Sequence, residues 1–85
     1  MTTALRPGVL MTDTEYGIAL LDEETGAYWT LNPTGATIVR TLTGGGDVAA
    51  ATQALVTDYG VDATTARTDV VELLDALRAA DLVRS

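Results

Sequence analysis

The side chains able to do chemistry are few, and their types narrow what chemistry is open. The chain has no Cys and no His, which removes thiolate nucleophiles, disulfides, the usual zinc ligands and the commonest general base. Carboxylates, hydroxyls and Arg remain. Glu23 and Glu24 stand side by side, and paired carboxylates can share acid and base work where burial tunes their pKa values. Here they fall in Asp22-Glu23-Glu24-Thr25-Gly26, which reads as an exposed turn without that tuning. Gly44-Gly45-Gly46 could cradle a phosphate, but no Lys accompanies it and no strand precedes it, so it reads as a tight loop between helices. Catalysis is therefore the weakest reading, and no catalytic residue, metal or cofactor is expected. The residues suited to recognition stand out more. A chain with three Tyr, one Trp and no Phe places Tyr28 and Trp29 together in the run Gly26-Ala27-Tyr28-Trp29-Thr30-Leu31-Asn32.

The elements that must position this run differ between the two halves. From Val9 to Leu31 the apolar residues are β-branched, aromatic or Leu, broken by polar clusters at Asp13-Thr14-Glu15 and Asp22 to Gly26. That texture predicts three short strands, Val9–Thr12, Tyr16–Asp22 and Ala27–Leu31, in an antiparallel meander, with Gly26 in the second turn. So small a sheet must bury one face against helices. Asn32-Pro33 is a helix start, Asn capping free N–H groups and Pro pre-set for the first helical position. Ala36, Ile38, Val39 and Leu42 form its apolar stripe, ended by the Gly run. Asp47 caps a second helix carrying Val48, Ala51, Leu55 and Tyr59, which stops at Gly60. Asp62 or Thr64 opens the third and longest helix, through about Ala80. The fold class expected is α+β, a three-stranded antiparallel sheet followed by three helices.

Length and charge bound the partners. At 85 residues residues 1–85 are expected to form one domain, near the lower size limit for folding without a metal or disulfide, with residues 1–7 a flexible N-terminus. Twelve acidic residues against five Arg give a net charge of −7, a field that repels phosphate backbones and anionic lipid. Neither nucleic acid nor membrane is expected as a partner. The start, Met1 to Met11, holds no apolar stretch long enough for export, and no run reaches membrane-spanning length. A cytoplasmic location is the expectation.

In the third helix, Ala66, Val70, Leu73, Leu77 and Ala80 keep the spacing of one buried face. Val71 and Leu74 lie beside it, and Arg67 and Arg78 extend the same flanking row. A broadly buried central helix would account for Val71 and Leu74; a groove wall with Arg at each end would account for all four. In the strand, Tyr28 and Thr30 face one way and Trp29 and Leu31 the other. Both aromatics could be core. Equally, a third and last strand leaves an outer edge of unpaired N–H and C=O groups, and such an edge beside an apolar helix flank is a template for strand addition by an extended peptide.

Read together, Gly26 before the third strand, Leu31-Asn32 at the strand-to-helix junction, Gly35 in the first helical turn, the Gly run and a Leu-rich last helix ending in Leu82-Val83 resemble the PqqD-like family. These are the recognition elements that bind leader peptides of ribosomally made, modified peptides. The small, acidic, Lys-free form is most similar to the stand-alone leader-binding proteins of lasso peptide biosynthesis, and the likeness covers roughly residues 6–84. It implies a winged-helix-like fold in which a leader pairs antiparallel to the third strand, in a cleft against the third helix. By position, the implied contacts are Ala27, Tyr28, Trp29, Thr30 and Leu31 from the strand and Arg67, Val70, Val71, Leu74 and Arg78 from the helix, with both strand faces open as the lining. It further implies a non-catalytic protein whose partners are the precursor leader, a papain-like leader peptidase and a macrolactam synthetase. A PqqD-type peptide chaperone for a radical-enzyme pathway is the nearest alternative. A winged-helix DNA-binding module is a more distant one, since Asp69, Glu72 and Asp75 oppose Arg67 and Arg78 on the helix that would have to be basic.

Overall fold

The structure, a computed structural model, describes residues 3–84. Three strands, β2 (Val9–Thr14), β3 (Gly17–Asp22) and β4 (Tyr28–Leu31), form an antiparallel sheet in that spatial order, and helices α1 (Pro33–Thr43), α2 (Val48–Tyr59) and α3 (Ala63–Ala79) follow. This is the α+β arrangement the sequence predicts. Two further strands, β1 (Ala4–Leu5) and β5 (Val83–Arg84), pair antiparallel in a separate two-stranded sheet. The first of them lies where a flexible N-terminus was expected. A two-residue strand has no periodicity to read, and its pairing is fixed by contacts at the other end of the chain.

The hairpin β2–β3 is longer than its turn signals suggest. Asp13 and Thr14 pair with Ile18 and Gly17 rather than turning, so only Glu15-Tyr16 separate the strands. The turn is held where backbone meets backbone. A Cβ on Gly17 would stand 2.0 Å from the Leu31 carbonyl oxygen, closer than any side chain can approach. Only glycine lets the start of β3 lie against the end of β4. Gly26, in the second turn, takes a left-handed φ of 76°, as the sequence anticipates.

Each helix begins on a side-chain cap. Asn32 Oδ1 accepts the Gly35 N–H at 2.9 Å, Asp47 Oδ1 the Ala50 N–H at 2.8 Å, and Asp62 Oδ2 the N–H groups of Thr64 and Thr65. Asp62, not Thr64, is thus the cap of α3. The core between sheet and helices gathers Ile18 and Leu20 from β3, Ala36, Ile38, Val39 and Leu42 from α1, Ala51 and Leu55 from α2, Ala66, Val70, Leu74 and Leu77 from α3, and Leu82 beyond it. Tyr59, a candidate core residue, is instead partly exposed and donates its hydroxyl to the Pro33 carbonyl at 3.2 Å. That bond ties the end of α2 to the start of α1. No helix among the described residues is long and apolar enough to cross a membrane.

Candidate functional site

β4 has β3 on one side and, among the described residues, no strand on the other. Its register with β3, Ile18 to Leu31 and Leu20 to Trp29, sets the faces. Because cross-strand partners share a face, Trp29 and Leu31 lie with the buried Ile18 and Leu20 toward the helices, and Tyr28 and Thr30 lie on the outer face with Leu21 and Ala19. Neither aromatic is core: Tyr28 is 63% exposed and Trp29 38%. Leu31 is half-buried, and Ala27, outside the strand, is exposed.

The hydrogen-bonding phase of the free edge follows from one bond. The Asp22 N–H donates to the Ala27 carbonyl at 2.9 Å, which makes Asp22–Ala27 a hydrogen-bonded pair. Antiparallel pairs alternate, so Trp29 and Leu31 also point their main-chain groups at β3. Tyr28 and Thr30 therefore present their N–H and C=O groups outward. Among the described residues this offers four unpaired main-chain groups on two alternate residues.

Beside this edge lies a cleft of about 540 Å³ between the end of β4, the start of α1 and α3. Thr30, Leu31 and Asn32 line it from the strand side, Thr34, Gly35 and Ile38 from α1, and Asp69 and Leu73 from α3. The helix residues implied by the resemblance lie elsewhere on α3. Val70 and Leu74, 0% and 5% exposed, are core residues, and at about 100° per residue Arg67, Val71 and Arg78 fall on the opposite flank of α3 from Asp69 and Leu73. None of these five lines the cleft. The buried stripe of α3 runs through Ala66, Val70, Leu74 and Leu77, while Leu73, half-buried, packs against the edge of the core and lines the cleft. Arg78 engages Asp75 at 3.8 Å, and Val71 is 37% exposed. The sequence places Asp69 on the solvated face and Leu73 in the buried stripe; in the structure Asp69 is exposed, Leu73 is half-buried against the core, and both line this cleft.

On the outer face a second hollow, of about 490 Å³, is bounded by Thr14, Tyr16, Tyr28, Thr30, Leu31, Asn32 and Pro33. The two hollows share Thr30, Leu31 and Asn32 and lie on opposite faces of one strand. An added strand would project alternate side chains toward each. The arrangement can bind an extended peptide, and it contains no nucleophile paired with a base.

The turn that aims β4 is held by charge. Asp22, 3% exposed, forms an ion pair with Arg6, and its Oδ1 accepts the Glu24 N–H at 3.0 Å. Arg6 also reaches Glu24 at 3.3 Å and donates from Nε to the Asp81 carbonyl at 2.7 Å. Burial pushes the Asp22 carboxyl up, but the Glu24 N–H, the Arg6 guanidinium and hydrogen bonds from Thr25 outweigh it and hold it below its ordinary 3.8. One arginine thereby joins the N-terminal segment, the β3–β4 turn and the end of α3. Among the described residues no group of acidic side chains has a metal-binding arrangement.

The family model described as Coenzyme PQQ synthesis protein D (PqqD) matches residues 17–83. Among solved structures, one described as lasso peptide synthetase B1 complexed with the leader peptide is 35% identical, with a TM-score of 0.92 over 100% of both chains. A second, TbiB1 in complex with the TbiA(beta) leader peptide, is 26% identical, with a TM-score of 0.87 over 96% of this chain and 95% of that one. No curated protein matches the chain.

Proposed function

The chain belongs to the PqqD family, and from that premise we propose that it is a non-catalytic protein that binds the leader peptide of a ribosomally made precursor, of the lasso class, by strand addition to β4. The observation that carries the reading is the free edge of β4, with four outward main-chain groups beside a cleft of mixed polar and apolar lining. The supporting likeness is to two structures described with leader peptides bound. In this reading the contacts are Ala27 to Leu31 along the strand, with Leu73 and Asp69 as the helix wall. Main-chain pairing supplies sequence-tolerant affinity and the two hollows supply selectivity. Val70 and Leu74 act from beneath by holding α3 at its distance from the strand.

The mechanism is one of delivery. A leader held on the domain presents its cleavage site to a papain-like peptidase at high effective concentration, and to a macrolactam synthetase after it, in the cytoplasm where the precursor is made. Service to a radical enzyme maturing a redox-cofactor precursor is the family's other theme, and the 35% identity to a lasso peptide protein favours the first.

Two measurements test this. Emission of Trp29 is followed while the synthetic leader of the precursor encoded nearest to this chain is added, with a shuffled leader as control. Saturable change with the first alone is expected. The second uses Thr30→Pro, which removes an N–H that faces away from β3 and so suits an edge strand. The variant is expected to keep the circular dichroism of the parent and to bind the leader at least ~10-fold more weakly. Binding of the leader as tight as the parent's would exclude pairing along this edge.

A further inference from the structure

The cleft beside β4 contains one ionisable group. Of its lining residues, Thr30, Asn32 and Thr34 are neutral polar, Leu31, Ile38 and Leu73 apolar, and Asp69 alone carries a charge. Its carboxylate takes part in no ion pair among the described residues. The α1 wall offers it no cation either. There the helix end is closed by Asn32, whose Oδ1 accepts both the Gly35 N–H and the Thr34 hydroxyl, at 2.9 and 3.0 Å. The other acids of α3, Glu72 and Asp75, lie outside the lining. Asp69 is exposed at the mouth of the cleft, and its place one turn before a half-buried Leu73 that lines the same hollow distinguishes it from Glu72 and Asp75.

Resting on the leader-binding reading above, we propose that Asp69 is a specificity-determining residue, selecting a peptide with a lysine or arginine that points toward the helices. The cleft lies at the C-terminal end of β4, at Thr30 to Asn32. A strand added antiparallel to β4 brings its own N-terminal half to that end, so the basic residue belongs in the N-terminal half of the paired segment. Its shape suits the site. A long aliphatic stem can lie on Leu31, Ile38 and Leu73 while the cationic head reaches the carboxylate at the rim. A net charge of −7 adds long-range attraction for such a peptide and disfavours acidic ones.

The experiment takes the leader of the nearest encoded precursor and replaces each Lys and Arg in turn by Ala and by Glu. Dissociation constants are measured with the parent protein, Asp69→Asn and Asp69→Lys, at low and at raised salt. Expected is one basic position in the N-terminal half of the paired segment where Glu weakens binding to the parent by roughly 10-fold. Asp69→Lys should restore most of that loss, Asp69→Asn should leave the position nearly indifferent, and the coupling should shrink with salt. If the unaltered leader binds but has no basic residue there, or no position couples to Asp69, the proposal is overturned while leader binding stands. If the unaltered leader binds neither the parent nor Asp69→Asn, although both fold, leader binding and the proposal fall together.

Discussion

Leu73 and Leu74 are neighbours of one type with opposite duties. Leu74 is buried and Leu73 faces the cleft, so Leu74→Ala is expected to cost about 2–5 kcal/mol of stability by leaving a cavity. In a domain whose whole stability is on the order of 4–13 kcal/mol, that is a large share. Leu73→Ala, at a half-buried residue on the edge of the core, is expected to lower the thermal midpoint by less than Leu74→Ala does and to weaken leader binding several-fold; denaturant titration and fluorescence binding separate the two. Asp22 supplies a second expectation. Its carboxyl lies lower in the folded chain than its ordinary 3.8, so its contribution to stability is fully present above about pH 4 and is lost as the pH falls through the folded value. Asp22→Asn should therefore melt below the parent at pH 7, and the gap should close in acid. That Asp22 is buried was not legible, since the acidic run around it reads as one exposed turn. Its partner lies sixteen residues earlier in the sequence.

At the scale of elements the sequence was more open. Asn32-Pro33, Asp47 and Asp62 mark the three helix starts through local chemistry that acts within four residues, and the structure finds all three caps. The aromatic run reads as a strand for the same reason. What stayed hidden depends on contacts distant along the chain: the β1–β5 pairing, and which side of α3 meets the sheet. Gly17 belongs to this class too, because nothing near it announces that the Leu31 carbonyl will stand where a side chain would be. Gly17→Ala is expected to destabilise by more than ~2 kcal/mol and to disturb the end of β4, so that leader affinity falls together with stability. Chemical denaturation with a parallel binding titration checks both.

For the molecule as a whole, Arg6 does the work that a disulfide does in many secreted domains of this size. It joins the N-terminal segment to Asp22, Glu24 and Asp81, and β1 on β5 lies next to it. Removing residues 1–6 should leave Asp22 buried without its cation and lower the melting temperature by at least ~5 °C; a calorimetric scan that is unmoved would show the segment to be dispensable. The free edge of β4 has a last consequence for the complex. Its outward groups recur on every second residue, at Tyr28 and Thr30. A bound chain that slips by one residue loses its main-chain partners and turns its side chains inside out, whereas a slip of two keeps both. Docking is thus stepwise, in jumps of ~7 Å, and the hollows on either side of the strand decide which step is occupied. Under the delivery proposed above, a precursor whose sequence suits two neighbouring steps would present its downstream bond at two positions in space, and would emerge trimmed unevenly.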